Sequence, residues 1–228
     1  MPSQGKFSYE NAELSDLEIA LSPERFAAYL TIAQQDRLTA MSLYERNTAL
    51  SEALYGVIQG LEVPLRNHMH NSLIQSIGPQ WFLSNVLQHP QTAMVADVIF
   101  DLNKQSRAVT GGRVVSELSF GFWTSLLGPR YEKTLWVPHL HAVFPNATYE
   151  VISPVGRVVH KLARHRISLQ LNEVRKLRNR IAHHECIVNS NLQRHYEEIM
   201  QCIEWICPTT ASWVQGTNCF LERFQKKA

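Results

Sequence analysis

The stretch Leu177-Arg178-Asn179-Arg180-Ile181-Ala182-His183-His184-Glu185 decides how this chain is read. Placed on a helix at about 100° per residue, Arg175, Asn179 and His183 share one face at i, i+4 and i+8, and Arg178 lies one step round with a side chain long enough to reach them. A guanidinium, an amide and an imidazole then converge on one small anionic group. The guanidinium forks onto two phosphate oxygens and histidine transfers a proton near neutral pH, so the set suits attack on a phosphodiester with no metal ion required. The same residues also allow a reading without chemistry: a helix that ends in exposed basic side chains, with a histidine interacting with the dipole at its C-terminus. His184 and Glu185 fit a solvated helix end as well as a site.

Outward from this stretch the charge stays positive. The whole chain of 228 residues carries a formal charge of only +2, too small to announce a nucleic-acid partner, so the distribution matters more than the sum. Residues 151–195 hold nine Lys or Arg (Arg157, Lys161, Arg164, Arg166, Arg175, Lys176, Arg178, Arg180 and Arg194) against Glu173 and Glu185, a local charge of +7. Half of the ten histidines fall in the same window, at 160, 165, 183, 184 and 195. A polyanion is the natural partner, and Arg164, Arg175, Arg180 and His184 are its candidate contacts. A solvated basic face is the alternative.

Composition bounds the rest. At 45% hydrophobic the chain can bury a sizeable core as one domain. Cys186, Cys202, Cys207 and Cys219 lie in the last fifth with no Cys-x2-Cys pair, and no exporting leader precedes them, so they read as reduced cytosolic thiols and not as a zinc site. No apolar run approaches the ~20 residues of a membrane span. No cofactor is implied, since there is no Gly-rich phosphate loop.

Arg178, Asn179 and His183 match the Arg-polar-x3-His motif of the HEPN superfamily, and the nine-residue run resembles its Abi-like (abortive infection) branch. Two further segments carry the resemblance. Glu62-Val63-Pro64-Leu65-Arg66-Asn67 is similar to a Glu-x3-Arg-Asn element of Abi-like proteins, and Glu117-Leu118-Ser119-Phe120-Gly121-Phe122-Trp123 to a Glu-Leu-Ser-Phe-Gly-x-Trp element. The likeness runs in segments from about residue 22 to 213. It implies an all-α HEPN-type helical bundle at 22–228, with an N-terminal half 22–110, a motif-bearing half 111–228 and an arm at 1–21.

It further implies a metal-independent endoribonuclease, a toxin of abortive infection or antiviral defence, in which the ribose 2′-OH attacks the adjacent phosphate. His183 would be general base or acid, Arg178 would neutralise charge on the non-bridging oxygens, and Asn179 would orient phosphate or imidazole. Arg175 and Arg180 would hold flanking phosphates. The implied partners are RNA, a second copy of the chain, and an antitoxin or other inhibitory protein; the alternative is a non-catalytic RNA-binding or partner-sensing module.

The second Leu-Arg-Asn departs from the motif, because five residues beyond Arg66 stands Asn71, with histidines at 68 and 70. Arg66 and Asn67 read as a second RNA-facing patch or a support for the first. The competing reading pairs Glu62 with Arg66 at i, i+4 on a helix surface.

Along the chain, Tyr9 to Leu21 reads as a short helix or an arm, Ser22-Pro23-Glu24 as N-cap and first turn, and Asp36 as the next cap. A helical period runs from Leu38 to Leu61, with Gly60 and Pro64 expected to bend or break it, and Gly78-Pro79 to end it. Helices are expected over 91–106, 131–136, 149–165 and 169–183, one after Asn189 or Ser190, and a last one beyond Pro208. Residues 138–145 read as a connector. Phe120, Phe122 and Trp123 read as core, and Gly121 as a close helix contact. No strand alternation is found.

Overall fold

A computed structural model of the chain describes residues 9–153 and 156–225, and the fold is all-α with one small hairpin. The helices are α1 (Asn11–Leu21), α2 (Pro23–Ile32), α3 (Arg37–Ile77), α4 (Gln91–Lys104), α5 (Gly111–Glu117), α6 (Phe120–Ser125), α7 (Val137–Val143), α8 (Arg164–Ala182), α9 (Leu192–Ile206), α10 (Pro208–Thr217) and α11 (Phe220–Gln225). Strands β1 (Thr148–Ser153) and β2 (Gly156–Lys161) pair antiparallel, Tyr149 opposite His160.

The chain divides into two compact units that are discontinuous in sequence. The first comprises Met1–Tyr55, Asn179–Gln193 and Cys219–Ala228, the second Gly56–Arg178 and Arg194–Asn218.

In the first unit, Leu14 of α1 is buried with Phe26, Tyr29, Ala33, Ala40 and Met41, so of the two readings of the segment before residue 22 the short helix is the one found, and it contributes to the core. Ser22 accepts the Arg25 N–H at 3.3 Å and caps α2. Asp36 accepts the Thr39 N–H at 2.7 Å and caps α3. Both caps follow the expected chemistry, a short side-chain oxygen satisfying an orphan donor of the first turn. Arg46 and Arg223 donate to the carbonyls of Phe224 and Ala49, both at 3.0 Å.

In the second unit an aromatic cluster forms the floor. Trp81 packs 5.8 Å from both Phe82 and Trp123, centroid to centroid, and Phe122 stands edge-on to Trp123 at 5.2 Å. Such tilted and edge-on pairs are the favoured geometries of rings with opposed face and edge charge. Helix α8 buries Ile167, Leu171, Val174 and Leu177, a stripe at helical spacing.

Four expectations are corrected. Helix α3 continues unbroken for 41 residues across Gly60 and Pro64. Tertiary packing outweighs the local penalty, because Leu54, Val57, Ile58, Leu61 and Leu65 are all buried along it. The stretch 149–165 is a hairpin: a helix there would contain Pro154 and Gly156, whereas Val151, Ile152, Val158 and Val159 favour strands. Residues 137–143 form α7 in place of a connector, with Pro138 tolerated in the first turn. The segment after Pro208 is two helices, α10 and α11.

The close helix approach occurs at Gly60 and not at Gly121. A Cβ at Gly60 would lie 2.5 Å from Val214 Cγ2, while one at Gly121 would meet nothing nearer than Ser119 Oγ at 3.5 Å. Val214 of α10 is buried and its branched side chain has little rotamer freedom. Gly60→Ala should therefore destabilise by about 1–3 kcal/mol despite the better helix former, through overpacking. In urea unfolding, the Gly60→Ala/Val214→Ala double variant should lose less than the sum of the two single losses.

Candidate active site

The boundary between the two units falls between Arg178 and Asn179, inside helix α8. Arg178 belongs to the second unit, where its Nε donates to Glu62 Oε1 at 2.9 Å. Glu62 lies on α3, so the two Leu-Arg-Asn segments of the sequence meet through this ion pair. The Glu62–Arg66 pair of the competing reading does not form. Both partners of the Glu62–Arg178 pair are about one-quarter to one-third exposed, at 27% and 30%, so water screens it and its value lies in orientation more than stability.

Arg66 stands one turn along α3 from Glu62, on the same face. It is half-buried, and its Nε is buried with no hydrogen-bond partner among the described residues. A buried guanidinium N–H without an acceptor is costly. Asn67 is exposed. Arg175 is half-buried on α8, its Nε donating to Asn172 Oδ1 at 3.3 Å.

Arg164 is turned inward. Its side chain is 9% exposed, Nη1 donates to the Leu127 carbonyl, and Nη2 lies 3.5 Å from Glu132. This corrects its assignment as an RNA contact: a side chain at the first residue of α8 is drawn into the unit by a carbonyl and a carboxylate, which no count of charge along the sequence reveals.

In the first unit, Asn179 is half-buried and its carbonyl accepts the His183 N–H at 2.9 Å. His183 is exposed, and its ring makes no hydrogen bond among the described residues. The helix ends on His184, whose φ of 55° lies in the left-handed region. Its N–H bonds the Ile181 carbonyl at 3.0 Å and the Glu185 N–H bonds that of Arg180 at 2.8 Å. This is the double closure usually made with glycine, here with a residue type that tolerates the conformation better than most.

The remaining groups at this end are invisible to sequence reading. Arg25 donates through Nη1 to the carbonyls of His184 at 2.7 Å and His183 at 3.3 Å. Buried Asn47 donates to the Glu185 carbonyl at 3.2 Å and accepts the Ile187 N–H at 2.7 Å. Both lie more than 130 residues upstream, and no motif links them to 177–185. Arg180 spends its donors on the same loop, reaching Ser190 Oγ at 2.8 Å and the Cys186 carbonyl, with Glu185 at 3.5 Å. Its guanidinium braces the turn after the helix.

Of the two histidines beside Arg66, His70 is committed to structure. Trp81 Nε1–H donates to His70 Nδ1 at 2.9 Å, which requires the neutral ring. Burial also holds His70 below the ordinary histidine value. His68 is half-buried.

Among the described residues no group of three or more metal-ligating side chains comes together. The four cysteines are free, and burial pushes the Cys202 thiol up. No described helix is long and apolar enough to cross a membrane. Comparison with protein-family models, curated proteins and solved structures finds no match for the chain.

Two outcomes are expected. Asn47→Ala should lower stability by about 2–3 kcal/mol, since it strands the buried Ile187 N–H and frees the loop after α8; urea unfolding measures this. For His70 the folded value is depressed, so the unfolded chain binds the extra proton. Its contribution is complete above about pH 6.5 and is lost as pH falls through that value toward the folded one. Thermal melts between about pH 7 and 5 should show a shallower decline for His70→Gln, which keeps an acceptor for Trp81 and leaves the depressed His141 in place.

Proposed function

We propose that the chain is a metal-independent endoribonuclease of the HEPN type, Abi-like branch, acting as a toxin in abortive-infection or antiviral defence. The observation that carries this reading is the Glu62–Arg178 ion pair, which joins the two segments that each resemble the family. Glu62 fixes the direction of a guanidinium that would otherwise sweep a wide arc, and preorganised charge is what transition-state stabilisation requires. Arg66, half-buried one turn further along α3, adds a second cation on the helix face that carries Glu62.

In the proposed step the 2′-oxygen forms a bond to phosphorus while the bond to the 5′-oxygen breaks, giving a 2′,3′-cyclic phosphate and a 5′-OH. A base takes the 2′ proton and an acid returns one to the leaving oxygen. His183 serves one of these roles, Arg178 neutralises the non-bridging oxygens, and Asn179 orients the phosphate. With His70 occupied by Trp81, the second proton carrier comes from another copy of the chain in a C2 dimer, where each motif is presented twice. An antitoxin-like partner covering the exposed His183 would restrain the activity. The protein would act in the cytoplasm, where RNA is the abundant polyanion.

One observation favours a clamp that binds RNA without cutting it: no described residue orients the His183 ring, unlike the usual base held by a third group. A single experiment separates the readings. Purified protein incubated with total RNA in EDTA should release fragments with cyclic phosphate ends, and His183→Ala should slow this by about 10²–10⁴-fold while RNA binding is kept. Glu62→Gln should also slow cleavage yet bind RNA as tightly or more so, because a competing carboxylate is gone. Activity that EDTA abolishes and magnesium restores would overturn the mechanism; RNA bound but uncut by wild type would establish the clamp.

A further inference from the structure

A cleft of about 710 Å³ opens in the second unit, where the hairpin, the first turns of α8 and one face of α9 meet. That volume is within the range of small-molecule sites, far above what a single inorganic ion fills. Its acidic groups are already engaged. Glu198 accepts from Arg194 Nε at 2.8 Å, and Glu173 pairs with Lys176 at 2.7 Å. Its amides are engaged too, Gln170 donating to Gln201 at 2.9 Å and to the Glu198 carbonyl at 3.0 Å.

The basic groups differ. Lys161, at the end of β2, and Arg166, in the first turn of α8, both line the cleft and are exposed, and their side chains make no hydrogen bond or ion pair among the described residues. Two cations whose side chains have no partner among the described residues thus face a cleft whose carboxylates are paired. The walls also carry apolar surface: Tyr149, 49% exposed and stacked on His160 at 5.3 Å between centroids, and Leu169, 63% exposed. An aromatic ring and an alkyl side chain beside unpaired cations fit a ligand that is flat at one end and anionic at the other.

We propose that this cleft binds a nucleotide, its phosphate held by Lys161 and Arg166 and its base lying against Tyr149 and Leu169. Guanidinium and ammonium groups are the usual protein ligands of phosphate, and base stacking on aromatic rings is indifferent to sequence. The site is separate from the Arg178 motif. Arg166 and Arg178 are twelve residues apart on α8, about 18 Å along the axis and about 120° round it. The nucleotide is either free or the end of an RNA chain, and these two sources share the same recognition.

The test uses the full-length protein with AMP, UMP, adenosine, inorganic phosphate and a 5′-phosphorylated RNA trinucleotide as probes, read by calorimetry and by the fluorescence of Trp205, which lines the cleft. A mononucleotide or the trinucleotide should bind at least about tenfold more tightly than adenosine or phosphate alone. Lys161→Glu and Arg166→Glu, both at exposed positions, should each weaken binding about tenfold or more, Arg166→Lys should recover part of it, and His183→Ala should change nothing. Binding of the mononucleotides would identify a free ligand, and binding of the trinucleotide alone would identify an RNA end; either supports the cleft. No binding of any nucleotide at millimolar concentration, or binding unmoved by both charge reversals, overturns it. The proposal does not depend on the ribonuclease reading, since absence of RNA cleavage leaves every arm of this titration informative.

Discussion

The carbonyls at the last turn of a helix have no partners of their own, and the way α8 meets this requirement governs everything around its C-terminus. The His184 and Glu185 N–H groups turn back onto the Ile181 and Arg180 carbonyls, and Arg25 takes the carbonyls of His183 and His184. Asn47 and Arg180 then hold the loop beyond the helix. Each group also carries a charge or dipole of the sign that the negative end of the helix favours. His183 therefore projects from a backbone fixed at several points, although its ring is exposed. A rigid backbone beneath a free side chain is a suitable arrangement for a residue that meets its partner only when a ligand arrives.

A second constraint acts on the other side of the unit boundary. Arg178 is too far inside its unit to be left to water alone and too exposed to be locked by burial, and Glu62 resolves this with one charge-assisted hydrogen bond. The pair balances two requirements: the carboxylate orients the guanidinium while lowering its attraction for other anions. Arg66 has the opposite condition, an N–H that nothing satisfies. The two arginines are thus unequal in the free protein: one guanidinium is held by a carboxylate, and the other keeps a buried N–H with no acceptor among the described residues.

The all-α class and the starts of α2 and α3 are legible because their determinants are local. Ser22 and Asp36 cap where short oxygen-bearing side chains precede helical periodicity, and Gly78, with φ of 117°, ends α3 as its flexible backbone suggests. Where reading fails, the deciding force is non-local. Pro64 does not break α3 because the buried stripe on both sides of it outweighs one lost backbone bond, and the hairpin escapes a reading that weighs apolar spacing above β-branching around Pro154 and Gly156. Among the candidate residues, Arg178, Asn179 and His183 can be picked out from spacing on one helix. Glu62 is visible in the sequence but with the wrong partner, since i, i+4 proximity is only one of several contacts a helix surface offers. Arg25 and Asn47 leave no trace in the sequence, because a single polar residue caps a helix end 138 or more residues away through folding alone.

The notch at Gly60 sets a limit on how this chain can change length. Val214 of α10 fills the space where a side chain of α3 would stand, so one particular residue of each helix must meet one particular residue of the other. Adding or deleting a single residue within either helix rotates the turns beyond it by about 100° and shifts them by about 1.5 Å, which would move the valine off the glycine and drive it into a neighbouring side chain. A change of length beside Gly60 or Val214 within the second unit is therefore resisted, and the register of α3 at Gly60 is held by a helix from near the far end of the sequence.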